Sequence, residues 1–213
     1  MCRPESFPTA TLIPPFSQPG SMTDRSRKHH EVFSAERAGH LDTRLRRIIY
    51  RPDRLAERYV TSGSRVLDFG CGPGFFTREF AKRVGEGGLV IAADLQEEML
   101  VIVRDKVGKE GLLVRVRTHR CEPDSLGLTP DKDGQVDTAF AIFVVHEVPD
   151  PGKLFREIAA LLPPGGTLFY SEPPLVVSGR EFRGSLALAE AAGFRVVETG
   201  FYFVNRSAVL KKA

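Results

Sequence analysis

The sequence predicts an α/β fold of the doubly wound kind, a seven-stranded and mostly parallel sheet with helices on both faces. Three observations point to it. Val66-Leu67-Asp68-Phe69 is a short, largely apolar run that enters glycines at every second position, Gly70, Gly72 and Gly74. From there, apolar runs and stretches of helical period alternate along the chain, the pattern of a parallel sheet wound by crossover helices. Near the C-terminus two strand-like runs follow one another with no helix between them, where a second mononucleotide half would place one.

The elements follow in order. Val66-Leu67 suits a strand buried on both faces, and the glycines suit a turn whose backbone comes close to a ligand, since each lacks a Cβ. Phe76, Phe80, Ala81 and Val84 recur at helical spacing, so the unit is strand, glycine loop, helix, with a ligand expected over the first helical turn. Leu89-Val90-Ile91-Ala92-Ala93 reads as a second buried strand ending in Asp94. Residues 96–107 read as a helix with Met99, Leu100, Val103 and Val107 on one face. A third, more exposed strand is expected over residues 114–118, with Cys121-Glu122-Pro123-Asp124 at its tip. Residues 136–145 form the most hydrophobic run, a fourth strand leading into His146-Glu147. Leu154, Phe155, Ile158, Leu161 and Leu162 mark another helix, stopped by Pro163-Pro164-Gly165-Gly166 before a fifth strand at Thr167. Phe182, Leu186 and Ala189 to Ala192 suggest a last helix ended by Gly193. Residues 194–199 and 207–210 then read as strands, with Asn205-Arg206 as the turn between them.

The glycine loop differs from the dinucleotide-binding Gly-x-Gly-x-x-Gly pattern, because its third glycine comes one residue early and Phe75 stands where that pattern has glycine. Three blocks instead resemble the class I S-adenosylmethionine-dependent methyltransferases, small-molecule enzymes of quinone biosynthesis in particular: VLDFGCGPGFFT at 66–77, IAADLQEEML at 91–100, and FVVHEVPDPGKLFREIAALLPPGGTLFYSEP at 143–173. The resemblance implies a Rossmann-like sheet whose last strand enters antiparallel, and S-adenosyl-L-methionine as cofactor. It implies that Asp68 and the loop Gly70, Cys71, Gly72 and Gly74 hold the methionine part. Asp94, followed by Leu95, would bind the ribose, with Glu122 or Asp124 near the adenine and Phe143 at the same pocket. The reaction implied is in-line displacement of the methyl group onto an O-, C- or N-nucleophile of a small-molecule acceptor. Well-oriented reactants recover roughly 7–11 kcal/mol of such a barrier, which makes a strong acid–base pair optional.

His146 and Glu147 follow the fourth strand, where its carboxyl end would face the transferred group. Two readings stand level: His146 is a general base, its pKa lying near working pH, with Glu147 beside it, or His146 is a polar shelf and Glu147 caps a neighbouring backbone group. Glu172 and Tyr170 are expected on the substrate side, Tyr202 and Phe203 there or in the core. Two other classes stand as alternatives, a nicotinamide-dependent oxidoreductase on the same architecture and a non-catalytic scaffold binding RNA.

Composition bounds these readings. With 213 residues and 42% hydrophobic content the chain can bury one sizeable core, and its net charge of +3 is only mildly basic. Arg25, Arg27, Lys28, Arg44, Arg46, Arg47 and Arg51 concentrate positive charge early in the chain. A solvated helix face explains them more simply than a nucleic-acid site. No apolar stretch reaches the roughly 18 residues of a membrane span, so a soluble protein with no membrane partner is expected. Residues 1–30, rich in proline and without apolar periodicity, are expected to be disordered, with a methyltransferase domain over 31–213. Leu41, Leu45, Ile48 and Ile49 suggest a helix and Pro52 opens another. The resemblance implies that these leading helices, within 31–60, cover the cofactor and shape the substrate pocket. Cys2, Cys71 and Cys121 form no CxxC pair, which argues against a disulfide framework or metal site and fits a reducing, cytoplasmic setting.

Overall fold

The computed structural model describes residues 44–213. The expected disorder of residues 1–30, and the start of the first leading helix at Leu41, lie outside the described residues. Two short helices lead in, α1 (Arg44–Tyr50) and α2 (Pro52–Tyr59). Arg51 separates them at φ 43°, and Pro52 occupies the first helical turn, where its missing N–H costs nothing.

Strands and helices then alternate: β1 (Arg65–Phe69), α3 (Thr77–Val84), β2 (Leu89–Asp94), α4 (Glu97–Lys109), β3 (Val116–Arg120), α5 (Pro130–Asp133), β4 (Thr138–Ile142), α6 (Pro151–Leu161), β5 (Thr167–Glu172), α7 (Gly179–Ala191), β6 (Phe194–Tyr202) and β7 (Asn205–Lys212). They form one seven-stranded sheet of order β3-β2-β1-β4-β5-β7-β6. The first five strands are parallel, and β7 inserts antiparallel between β5 and β6. Strand order reverses at β1, with β2 on one side and β4 on the other. A crevice therefore opens at their carboxyl ends, the place where open α/β sheets bind ligands.

Strand alternation sends side chains to two buried layers. Leu67, Ile91, Ala139 and Leu168 pack with Phe155, Ile158 and Leu161 of α6 on one face. Val66, Val90, Phe140 and Phe169 pack with Phe80, Val84 and Val103 of α3 and α4 on the other, where Leu55 and Ala56 of α2 join them. Both faces of the central strands are thus covered, which is why their sequences read as unbroken apolar runs.

Several boundaries differ from the sequence expectation. The third strand starts at Val116, because Leu113–Arg115 turn as a 3₁₀-helix first. The fourth ends at Ile142, because Phe143 takes φ 61° and Val145–Glu147 form another 3₁₀ turn. The hairpin turn falls on Phe203-Val204, with Phe203 at φ 57°. Asn205 and Arg206 instead pair with Tyr202 and Phe201 inside the ladder. The last helix begins at Gly179, set by a capping box in which Ser178 Oγ accepts from Glu181 N and the Glu181 carboxylate accepts from Ser178 N.

Candidate active site

A cavity of about 340 Å³ opens at the carboxyl ends of β1, β2 and β4. Its floor is the glycine loop after β1, and the three glycines serve different ends. At Gly70 (φ 65°) an added Cβ would overlap the Val144 side chain, and at Gly74 it would meet Val103 Cγ2 at 3.1 Å. Both positions are small to let the loop pack. Gly72 (φ 51°) has nothing within 4 Å of an added Cβ, and it lines the cavity with Gly70, Cys71 and Pro73. Gly74, unlike Gly70 and Gly72, does not line the cavity.

Asp94 ties the loop to the tip of β2. Its Oδ2 accepts from Gly72 N at 2.8 Å and its Oδ1 from Gln96 N at 2.9 Å. A carboxylate offers about four acceptor positions, so Asp94, which lines the cavity, keeps capacity for a ligand's hydroxyls. Burial raises its pKa, against the backbone amides of Gln96, Gly72 and Leu95. Asp68 is placed differently. It is 2% exposed, does not line the cavity, and accepts from Thr77 Oγ1 at 2.6 Å beneath the loop. Burial pushes its carboxyl up to about 7, with the nearby Asp94 charge adding to the rise and the Thr77 bond opposing it.

Leu95, Glu122 and Asp124 line the wall beside the tips of β2 and β3. Glu157 of α6 holds that wall, accepting from Ser125 Oγ at 2.9 Å and Leu126 N at 2.7 Å. Cys71 and Cys121 flank the β2 tip, their amides donating to Ala93 O and Asp94 O. Both thiols are buried and unpaired by disulfide. Burial and the surrounding carboxylates raise both, Cys121 to about 12, so they stay protonated at neutral pH. They act as small packing groups rather than nucleophiles. Among the described residues no group of three or more His, Cys, Asp or Glu could hold a metal ion.

His146 and Glu147 line the opposite side, on the 3₁₀ turn after β4. Behind them lies a partner whose role the sequence did not disclose. Glu172, fully buried at the end of β5, accepts from His146 Nδ1 at 2.7 Å with one oxygen and from His146 N at 3.1 Å with the other. Glu147 Oε1 is 3.8 Å from Nε2. Burial works to lower the His146 pKa, but the Glu172 hydrogen bond and charge, with Glu147 added, outweigh it and raise it above 6.5. Glu172 sits 26 residues from His146, so only the pairing of β4 with β5 brings the two together.

Phe143 lines the cavity next to Phe75 and Phe76, and its ring meets Tyr50 of α1 at 5.6 Å. Phe76 and Met99, read in the sequence only as apolar helix positions, and Phe75, read only as a departure from glycine, line the cavity too. Tyr170 belongs to the core, stacked on Phe182 at 5.0 Å, and does not line the cavity. Tyr202 and Phe203 pack on Tyr50 and do not line it either. Among the described residues, the charged lining side chains, histidine aside, are Asp94, Glu122, Asp124, Glu147, Asp150 and Glu157, all acidic. A dinucleotide pyrophosphate would meet repulsion here, whereas a sulfonium cation would meet attraction.

Comparison with known proteins agrees with this geometry. Residues 66–166 match the family model described as "Methyltransferase domain". The ubiquinone/menaquinone biosynthesis C-methyltransferase UbiE of Idiomarina loihiensis is 34% identical over 125 residues, 56% of this chain and 49% of that protein. A ubiquinone biosynthesis O-methyltransferase of Xanthomonas euvesicatoria is 34% identical over 121 residues, 57% of this chain and 48% of its own length. The chain thus spans about half the length of these curated relatives. A crystal structure of a SAM-dependent methyltransferase from Aquifex aeolicus superposes with a TM-score of 0.74 at 29% identity, over 84% of this chain and 98% of that one. Residues 66–166 are a methyltransferase domain of the class I S-adenosylmethionine-dependent type, on a Rossmann-like fold.

Proposed function

We propose that the protein transfers a methyl group from S-adenosylmethionine to a small-molecule acceptor. The observation that carries this reading is the joint placement of Gly72 and Asp94. An open backbone cradle is hydrogen-bonded to a buried carboxylate, in an acidic cavity at the switch point of the sheet. When bound, the cofactor supplies a methyl group already activated on a sulfonium.

The chain's own residues then bind, orient and exclude water. Asp94, beside Leu95, accepts the ribose hydroxyls, and Glu122 or Asp124 contacts the adenine. The Gly70-Cys71-Gly72 backbone receives the methionine part. One layer below, Asp68 accepts from Thr77, and Gly74, lacking a Cβ, leaves room for Val103, so that the loop keeps its shape. Phe143, Phe75 and Phe76 give the cavity an apolar side that keeps water from the reacting atoms. His146 takes the acceptor's proton at Nε2, its Nδ1–H held by Glu172. Tyr50 packs on Phe143 and Phe75, which supports a covering role for the leading helices.

The curated relatives are named for ubiquinone and menaquinone synthesis, which supports a small organic acceptor for this chain too. Two buried unpaired thiols beside the cavity support a cytoplasmic setting. The test is transfer of isotope-labelled methyl from S-adenosylmethionine into metabolite extracts, read by mass spectrometry. Label in a small-molecule product, lowered by Asp94→Ala at limiting S-adenosylmethionine, supports the reading; label confined to RNA or protein contradicts it.

A further inference from the structure

A second cavity, of about 210 Å³, lies on the α2 face of the sheet and shares no lining residue with the first. It exists because the cover there runs out. α2 is eight residues long and ends at Tyr59, while the strands beneath offer Gly200 and Ser207, residues too small to fill the space. Strand alternation turns Glu198, Gly200 and Tyr202 of β6 to one face, and on β7 Val209 pairs with Glu198 and Ser207 with Gly200. A Cβ built on Gly200 meets nothing within 4 Å.

The walls are apolar and largely aromatic. Leu55, Phe169, Tyr202 and Val209 line the space with Tyr59, whose ring lies 5.3 Å from that of Phe169. The charges at its edge are matched. Arg58 Nη2 donates to both oxygens of Glu198, at 2.8 and 3.0 Å, and Arg54 Nη1 donates to Glu57 Oε2 at 3.1 Å. These pairings leave a charged ligand little to gain. One polar group stands apart. Ser207 is 8% exposed, yet its Oγ has no hydrogen-bond partner among the described residues. Buried hydroxyls are nearly always satisfied, so a lone one beside an open space marks where a ligand's polar atom would sit.

We propose that this cavity is a second binding site and that it takes a small neutral phenol. The ring packs against Tyr59, Phe169 and Tyr202, and the ligand hydroxyl bonds Ser207 Oγ beside Gly200. Pockets for drug-sized molecules run to roughly 300–1,000 Å³, so this smaller space suits a single ring. The site stands independently of the proposed chemistry, since none of these residues lines the first cavity.

A nuclear magnetic resonance titration of the full, isotope-labelled chain tests it, with phenol as ligand and toluene as the analogue lacking the hydroxyl. Phenol is expected to give saturable shifts centred on the Gly200 and Ser207 amides, and toluene to bind about tenfold more weakly. Ser207→Ala should reduce the affinity for phenol to that for toluene or below. Gly200→Leu should fill the space and abolish binding of both ligands, with the melting temperature held or raised. Phenol shifts centred on Gly72 and Phe143 overturn the proposal, as do equal affinities for the two ligands. Binding that Gly200→Leu leaves intact also overturns it. So does the absence of saturable binding, which would leave Ser207 to an ordered water.

Discussion

His146 and Glu172 show how the sheet can set one side chain's chemistry. A buried carboxylate accepts from both the backbone and the ring of one histidine, which fixes the tautomer and raises the pKa. Because the base form is the neutral imidazole, methyl transfer should rise with pH through an inflection above 6.5. Glu172→Gln should move that inflection down, and His146→Ala should lower kcat by roughly 10²-fold or more with cofactor affinity little changed. An unchanged kcat in His146→Ala would leave His146 as a polar shelf. Asp68 makes a separate residue-scale prediction about stability. Its folded pKa of about 7 lies above the ordinary 3.8, so between these values the folded state holds a proton that the unfolded state has lost. Stability should therefore fall as pH rises across that window, by at most about 1.4 kcal/mol per pH unit, and Asp68→Asn should flatten the slope. Urea melts of both proteins across the window measure it.

At the scale of elements, the glycine loop separates folding from binding. Ala at Gly70 or Gly72 incurs the strain of a positive φ, roughly 1–2 kcal/mol. Gly70→Ala must also displace Val144, so it should lower the melting temperature more than Gly72→Ala does. Gly72→Ala should instead weaken S-adenosylmethionine binding, because its Cβ points into open space at the cavity floor. Thermal melts and calorimetry on the pair separate the two effects. The strands and the helices between them were legible because burial on both faces leaves continuous apolar runs. Their ends were less so. Nothing local in Phe143 or Phe203 announces a positive φ, and Phe203-Val204 lacks the Gly or Asn that usually marks a two-residue turn. Ser178 and Glu181 did carry a capping signal, three residues apart, that the apolar periodicity alone passed over.

At the scale of the whole molecule, a chain of net charge +3 forms a cavity whose charged lining among the described residues, apart from one histidine, is acidic. Most of the candidate site was legible because Asp94, Leu95, Glu122, Phe143, His146 and Glu147 sit at strand tips, where topology gathers residues distant in sequence. The role of Glu172 was not, since it depends on the partner facing a buried strand end. The chain matches its curated relatives over about half their own length, at 34% identity. The central claim is that this cavity takes a sulfonium nucleoside. Calorimetry of the purified protein with S-adenosylmethionine, and with NAD as control, tests it most directly. Saturable one-site binding of S-adenosylmethionine alone, weakened on the order of tenfold to a hundredfold by Asp94→Ala, is the predicted result. Binding of NAD in its place, or of neither ligand, would contradict it.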